Sequence, residues 1–191
     1  MKKYIGIGAL VLVALWGISA YNGLVGSDEG VQAAWGKVES QYQRRADLIP
    51  NLVNTVKGAA ENEKGILVDV IEARAKATQT TIDPSKLTPE MMKKFQAAQG
   101  ELSSALSRLL VTVERYPDIK SNQNFLELQA QLEGTENRIT VARDRFNDVV
   151  KPYNSKVRSF PTVLIAKILG FDAKGYFESQ PGADVAPTVQ F

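Results

Sequence analysis

FLELQAQLEGTENRITVARDRFNDVVKPY, residues 125–153, decides the fold of this chain. Within it Phe125, Leu128, Leu132, Thr135, Ile139, Ala142, Phe146, Val149 and Tyr153 fall three and four residues apart in turn. An α-helix turns once in about 3.6 residues, so these positions share one narrow stripe along its side. A seam sustained over this length asks for partner helices lying nearly parallel, as in a bundle or coiled coil. Pro152 removes a backbone donor near the end, and a kink or restart is expected there.

Working toward the N-terminus, Thr88-Pro89-Glu90 combines an N-cap, a proline for the first helical position and an acid for the first turn. Met91, Phe95, Ala98, Leu102, Ala105, Leu109, Val113 and Tyr116 then keep helical spacing until Pro117. Residues 118–124 read as a turn. Earlier, Val31, Trp35, Val38, Tyr42, Ile49, Leu52, Val53, Val56, Leu67, Val70, Ile71 and Ala77 hold the same period. Pro50 interrupts them without changing the phase, and Asp47-Leu48-Ile49-Pro50 offers no glycine or polar turn. One long helix, kinked at Pro50 and ending near Gln79, is therefore expected, with residues 80–86 as a polar connection. Downstream, Phe160–Phe171 is strongly apolar with Lys167 as its one charge, and it is too short to span a bilayer. No strand pattern and no internal repeat appear.

The first residues, MKKYIGIGALVLVALWGISAY, carry an uninterrupted apolar run from Tyr4 to Tyr21. About 18 residues suffice to cross a hydrocarbon core. Lys2 and Lys3 precede the run, and Asp28 and Glu29 follow it. The positive-inside rule puts the N-terminus in the cytoplasm and the remainder outside the cytoplasmic membrane. A cleaved signal peptide is the competing reading, but Ile18 precedes Ser19-Ala20 where a small residue is preferred. Trp16 and Tyr21 suit interfacial anchors, so retention as an anchor is expected. The chain then divides into an anchor (1–21), a juxtamembrane connection (22–30), a helical bundle (31–177) and an extended or disordered tail (178–191) containing Pro181, Gly182 and Pro187.

Composition narrows function further. Lys and Arg number 23 against 21 Asp and Glu, interspersed along the chain, so no positive stripe for nucleic acid is present. The chain has no cysteine, which removes disulfides, thiolate chemistry and a lipoprotein anchor. It has no histidine, the commonest metal ligand and neutral-pH general base. No catalytic, cofactor-binding or metal-ligating residue is assigned.

Several motifs recur in an order that is specific. Tyr21-Asn22-Gly23-Leu24-Val25 follows the apolar run. Gln43-Arg44-Arg45-Ala46-Asp47-Leu48-Ile49-Pro50-Asn51-Leu52-Val53 is the strongest, followed by Val56-Lys57-Gly58 and Glu72-Ala73-Arg74. Then come Tyr116-Pro117, Leu132-Glu133-Gly134-Thr135-Glu136-Asn137-Arg138-Ile139, Ala142-Arg143, Tyr153-Asn154 and Phe160-Pro161. The chain resembles the LemA family from the anchor to about Phe177. The resemblance implies a bacterial membrane protein with one N-terminal span, an extracytoplasmic helical bundle and an envelope-related role, and it implies no activity. Gly58-Ala59-Ala60 departs from the usual pattern, in which an aromatic follows the glycine.

The expected architecture is all-α: a single N-terminal transmembrane helix followed by an up-and-down, four-helix-like bundle of long helices. The expected role is a membrane-anchored scaffold or interaction protein that forms a homo-oligomer and contacts envelope proteins. The alternatives are a subunit or partner of an envelope enzyme, or a bundle holding a lipid or small ligand in an apolar cavity lined by Phe95, Leu102 and Phe146. Candidate interaction residues are Gln43, Arg44, Arg45, Asp47, Pro50, Asn51, Glu133, Arg138, Phe160 and Pro161. Arg44, Arg45 and Asp47 suit either a grip on an anionic partner or a clasp between helices, with Glu133 and Arg138 as cross-bundle partners. Gly58, Gly65, Gly100 and Gly134 suit either close helix crossings or a loosened solvent face. At 1.5 Å per residue the first helix rises roughly 75 Å, and the next two run roughly 45 and 60 Å. With a mere kink at Pro50, the third helix leads away from the membrane and leaves Phe160–Phe171 at the distal end.

Overall fold

The computed structural model describes residues 2–57 and 63–178. The described residues form six α-helices and no strand: α1 (Lys2–Lys57), α2 (Lys64–Gln79), α3 (Pro89–Val113), α4 (Pro117–Lys120), α5 (Gln123–Arg158) and α6 (Thr162–Leu169). A 3-10 turn at Pro84–Lys86 leads into α3. The tail expected to be extended or disordered lies outside the described residues from 179 onward, as does Gly58.

Helix α1 is continuous from the apolar run through Pro50. Residues 22–30, read from the sequence as a connection, are helical, and Leu24 among them is fully buried. The bundle therefore begins one or two turns earlier than the apolar period announces. Pro50 faces solvent within α1, where the helix carries on without its one missing donor. The expected continuous helix to Gln79 is corrected: α1 ends at Lys57, and α2 is a separate helix that returns antiparallel to it. Arg74 Nε donates to the Ala46 carbonyl at 2.7 Å, fixing that return. Both segments keep the same apolar period because both bury a stripe in the same core, so phase alone hides the reversal.

Thr88 caps α3 as the sequence predicts, its hydroxyl accepting from Met91 N. Helix α3 runs up beside α2, with Lys76 paired to Glu101 at one end and Glu63 to Arg115 at the other. Helix α4 turns the chain at the far end, and Asn122 caps α5 by accepting from Asn124 N and Phe125 N. Helix α5 then descends the length of the bundle and passes through Pro152 without a restart. It lies antiparallel to α1, as the pairs Arg45–Glu136 and Gly23–Lys156 show.

This topology corrects the placement of Phe160–Phe171. Helix α1 goes up, α2 down, α3 up and α5 down, so α6 comes back to the apolar end of α1. Ile165 Cδ1 lies 4.0 Å from where a side chain on Gly17 would begin. The Tyr21 and Phe171 rings meet edge-on at 6.1 Å. The segment is membrane-proximal, not distal.

Two buried clusters stack along the bundle. The distal one is mainly aliphatic and joins α1, α2, α3 and α5, with Leu52, Val56, Val70, Leu102, Leu109 and Leu132 among its members. The proximal one centres on Trp35, which meets Phe95 at 5.1 Å and Phe146 at 5.7 Å, both edge-on, and stacks on Phe177 at 6.0 Å. Phe95 and Phe146 thus close on Trp35, while Leu102 belongs to the distal cluster. Where the ligand-holding alternative requires an apolar cavity, Phe95 and Leu102 border with Tyr42 a cleft of about 50 Å³. That is room for a water or two, not a lipid.

Candidate functional site

Three features organise the molecule, two polar and one apolar, and each grows from a residue type placed against its surroundings. The first is Arg45, only 2% exposed in the middle of α1. Its Nη1 donates to Ser103 Oγ at 2.8 Å and to Glu136 Oε2 at 2.9 Å. Its Nη2 donates to Gln99 Oε1 at 2.7 Å and lies 3.3 Å from the Gln99 carbonyl. Gln99 in turn donates to the Ala77 carbonyl at 3.3 Å. One guanidinium thus ties α1 to α3 and α5, and through Gln99 to α2. The guanidinium also lies 5.1 Å over the Tyr42 ring. Burial pushes the Tyr42 phenol above its usual value, against the opposing pull of Arg143 and Arg45. Arg45 thus forms a clasp between helices.

The rest of the motif is laid out differently. Gln43, Arg44, Asp47, Pro50 and Asn51 face solvent on α1. Gln43 donates to Asp47 at 2.8 Å, a neighbour pair along one helix. Glu133 and Arg138 stay on the α5 surface, accepting from Gln129 at 3.1 Å and donating to Thr135 at 2.9 Å. The acid that reaches Arg45 is Glu136, one helical turn from the one singled out. A side chain added at Gly65 or Gly100 meets nothing within 4 Å, so no close crossing inside the chain requires these glycines.

The second feature went unread in the sequence. Residues 171–178 form no helix; they run back up along α5 and close the proximal half. Asn154 Nδ2 donates to the Lys174 carbonyl and its Oδ1 accepts from Lys174 N, both at 2.8 Å. Asn147 does the same for Phe177, both at 2.9 Å. An extended backbone has donors and acceptors that a helix flank cannot satisfy, and two side-chain amides one heptad apart supply the missing ladder. Gly175 N donates to the Leu87 carbonyl at 2.8 Å. A side chain at Gly175 would begin 2.8 Å from both Pro89 Cα and Met92 Cγ, so this position admits only glycine without displacement. Asparagines on an apolar seam were the visible signal.

Lys174 is 7% exposed within this segment. Its Nζ lies 2.9 Å from Asp28 Oδ1, donates to the Ser85 carbonyl at 2.8 Å and sits 5.7 Å from the Tyr153 ring centre. Tyr153 donates to the Asp172 carbonyl at 3.0 Å. Burial, and then the nearby Asp28 charge, hold its phenol well above the usual range.

The third feature is at the apolar end. Tyr4 to Leu15 stand free, and α6 flanks the last turns of the run. Phe160 is 81% exposed and Ile168 82%, while Pro161 is half-buried. Helix α1 is long and apolar enough to cross a membrane, and the membrane association of the protein rests on it. Further up the proximal half, Ala34, Lys37, Gln41, Arg138, Val141 and Arg145 line an open groove between α1 and α5 of about 740 Å³. No cluster of three or more acidic side chains suited to a metal occurs among the described residues.

Comparisons with known proteins fit this picture. The magnetosome protein MamQ of Magnetospirillum gryphiswaldense is 28% identical, over 96% of this chain and 75% of its own length. MamQ 1 of Paramagnetospirillum magneticum is 28% identical over 86% of this chain, which spans 66% of that relative's length. Protein LemA of Metamycoplasma hominis is 23% identical, over 78% of this chain and 64% of its own length. The family model for the LemA family matches residues 34–191, from beside Trp35 through the α5 asparagines and the closing segment. On that match the chain belongs to the LemA family.

Proposed function

We propose that the protein is a membrane-anchored scaffold whose bundle stands on the extracytoplasmic face of the cytoplasmic membrane and associates with copies of itself. The observation that carries this reading is the continuity of α1: one helix serves as both span and bundle wall, with no flexible joint between. From Leu24 to Lys57 the helix rises about 50 Å. Helix α5 braces it along that length, and Arg45 locks it to three others. Such a post holds its lateral faces at a fixed height and orientation above the bilayer, which suits positioning more than turnover.

The α1–α5 groove is the lateral face best formed for a second copy. It combines the exposed apolar Val141 with Lys37, Arg138 and Arg145 and with Asp148, so both apolar and charged complementarity are available. The chain has no native cysteine, so one introduced thiol reports on one position. Val141→Cys in native membranes is expected to give disulfide-linked dimers under mild oxidation, while Val111→Cys at the far end of α3 does not. Light scattering in mild detergent is expected to show species larger than a monomer. Monomers at every concentration, together with no Val141→Cys dimer, would overturn the reading.

A further inference from the structure

We propose that α6 is a membrane-interface helix, which embeds an apolar stripe of Phe160, Leu164 and Ile168 in the leaflet where α1 leaves the bilayer. Leu164 and Ile168 are one turn apart on α6, and the exposed Phe160 lies two residues before its start. They are 55%, 82% and 81% exposed, in the order Leu164, Ile168, Phe160, and Leu169 beside them is 50% exposed. A soluble surface rarely presents so continuous an apolar strip. The opposite side of α6 is already used: Ala166 is fully buried, and Ile165 leans on Gly17.

The level of α6 selects lipid as the occupant. It meets α1 at Gly17 and, through Phe171, at Tyr21, the last turn of the apolar run. Gly17 precedes Tyr21 by four residues, about 6 Å along the axis. Interfacial helices bury their apolar faces about 5–10 Å into the boundary between headgroups and acyl chains. Ile18, next to Gly17 on α1, is itself 58% exposed. Exposed Arg158 and Lys167 flank the stripe, placed for lipid phosphates. Gly170 closes α6 with φ +76, a left-handed turn that favours glycine, and Phe171 N donates back to the Ala166 carbonyl at 2.9 Å. That turn sends the chain up into the segment that closes the proximal core, so the interface helix and the bundle are joined without slack. The bilayer would thus hold the bundle at two points, and the second fixes its tilt.

This inference rests on α1 spanning the membrane and is independent of self-association. The test uses full-length chain in vesicles of phosphatidylcholine and phosphatidylglycerol, with a polarity-sensitive fluorophore on Ile168→Cys or Leu164→Cys, and on Val111→Cys as control. The expected result is blue-shifted emission, quenching by spin-labelled lipid and loss of iodide quenching at 164 and 168, with the reverse at 111. A second variant, Phe160→Glu with Ile168→Glu, is expected to abolish the shift of a probe at 164 while helix content is kept. Resistance to alkaline extraction reports the span separately. A probe at 168 that iodide reaches as freely as at 111, in protein that resists extraction, would overturn the interface helix and leave the anchor standing. Protection equal in detergent and vesicles, with 168-to-168 disulfides, would assign the stripe to a second copy and overturn it as well.

Discussion

The distal and proximal halves of this bundle solve the same packing problem by different means. The distal half has four helices around a mainly aliphatic core, each presenting a stripe at helical period. The proximal half has the stretch of α1 from Leu24 to Tyr42, that of α5 from Ile139 to Val157 and the start of α3, and no fourth long helix. Its gap is filled by rings from Trp35, Phe95, Phe146 and Phe177, and closed by an extended segment from the far end of the chain. A helix satisfies its own backbone, so four helices need only apolar stripes. An extended strap does not, so the proximal half must recruit Asn147, Asn154 and Leu87 to satisfy it. The half nearest the membrane thereby depends on contacts far apart in sequence.

The sharpest break of this contrast is Phe177→Ala. Phe177 is 6% exposed and contacts both Trp35 and Phe146. Removing a buried phenyl ring costs about 3–5 kcal/mol. Hydrogen exchange is expected to show the loss locally, with amides of α5 near Val150 and Val157 exchanging faster than those of α2 and of α3 from Leu102 onward. Leu109→Ala in the distal core, costing about 2–5 kcal/mol, is expected to show the opposite distribution. Equal effects in both halves for both variants would mean that the two clusters unfold as one.

Asn154→Ala tests the strap itself. It strands the buried Lys174 amide and carbonyl, at a cost of about 1–3 kcal/mol. Asn147→Ala is expected to cost less, because that side chain is only partly buried and water can replace it. Chemical denaturation with a double-mutant cycle checks both, and a positive coupling is expected because either loss loosens the same segment. Gly175→Ala comes next. Its new methyl would collide with the backbone of Pro89, and the shift this forces costs about 1–2 kcal/mol. Thermal unfolding reads it, and an unchanged midpoint would show that the strap is not seated against α3.

What the sequence made legible follows the same division. Heptad spacing gave α5, α3 and the stripe of α1 because each of them buries one face over many turns. The reversal after Lys57 was hidden, since α1 and α2 bury stripes of the same period in the same cluster. That one error carried α6 to the wrong end of the molecule. The strap over 171–178 was hidden for a different reason: its stability lies in partners twenty or more residues away, such as Asn147 for Phe177. Arg45 was legible as a residue with a special role, but its partner was not, because Glu133 and Glu136 are neighbours on one helix and only the register of α5 against α1 separates them.

The smallest expected effect is alkaline, and it distinguishes the halves without a mutation. Tyr42 and Tyr153 both belong to the proximal cluster, and burial is the leading cause that holds each phenol above the usual value near 10. The folded protein therefore keeps protons that the unfolded chain gives up. With fewer protons on the unfolded state, stability is intact below pH 10 and falls as pH rises past it. The loss grows as pH climbs further above 10, because the unfolded chain has by then released protons that the folded chain still holds. Tyr116, in the distal half, hydrogen-bonds Glu63 at the surface, where solvent screens the loss. Hydrogen exchange compared at matched intrinsic rates is therefore expected to show α5 around Tyr153 loosening with alkali before α2 does. Tyr153→Phe keeps the ring and removes the titrating group, so it is expected to flatten the decline above pH 10. A decline unchanged in that variant would place the alkaline sensitivity outside the proximal core.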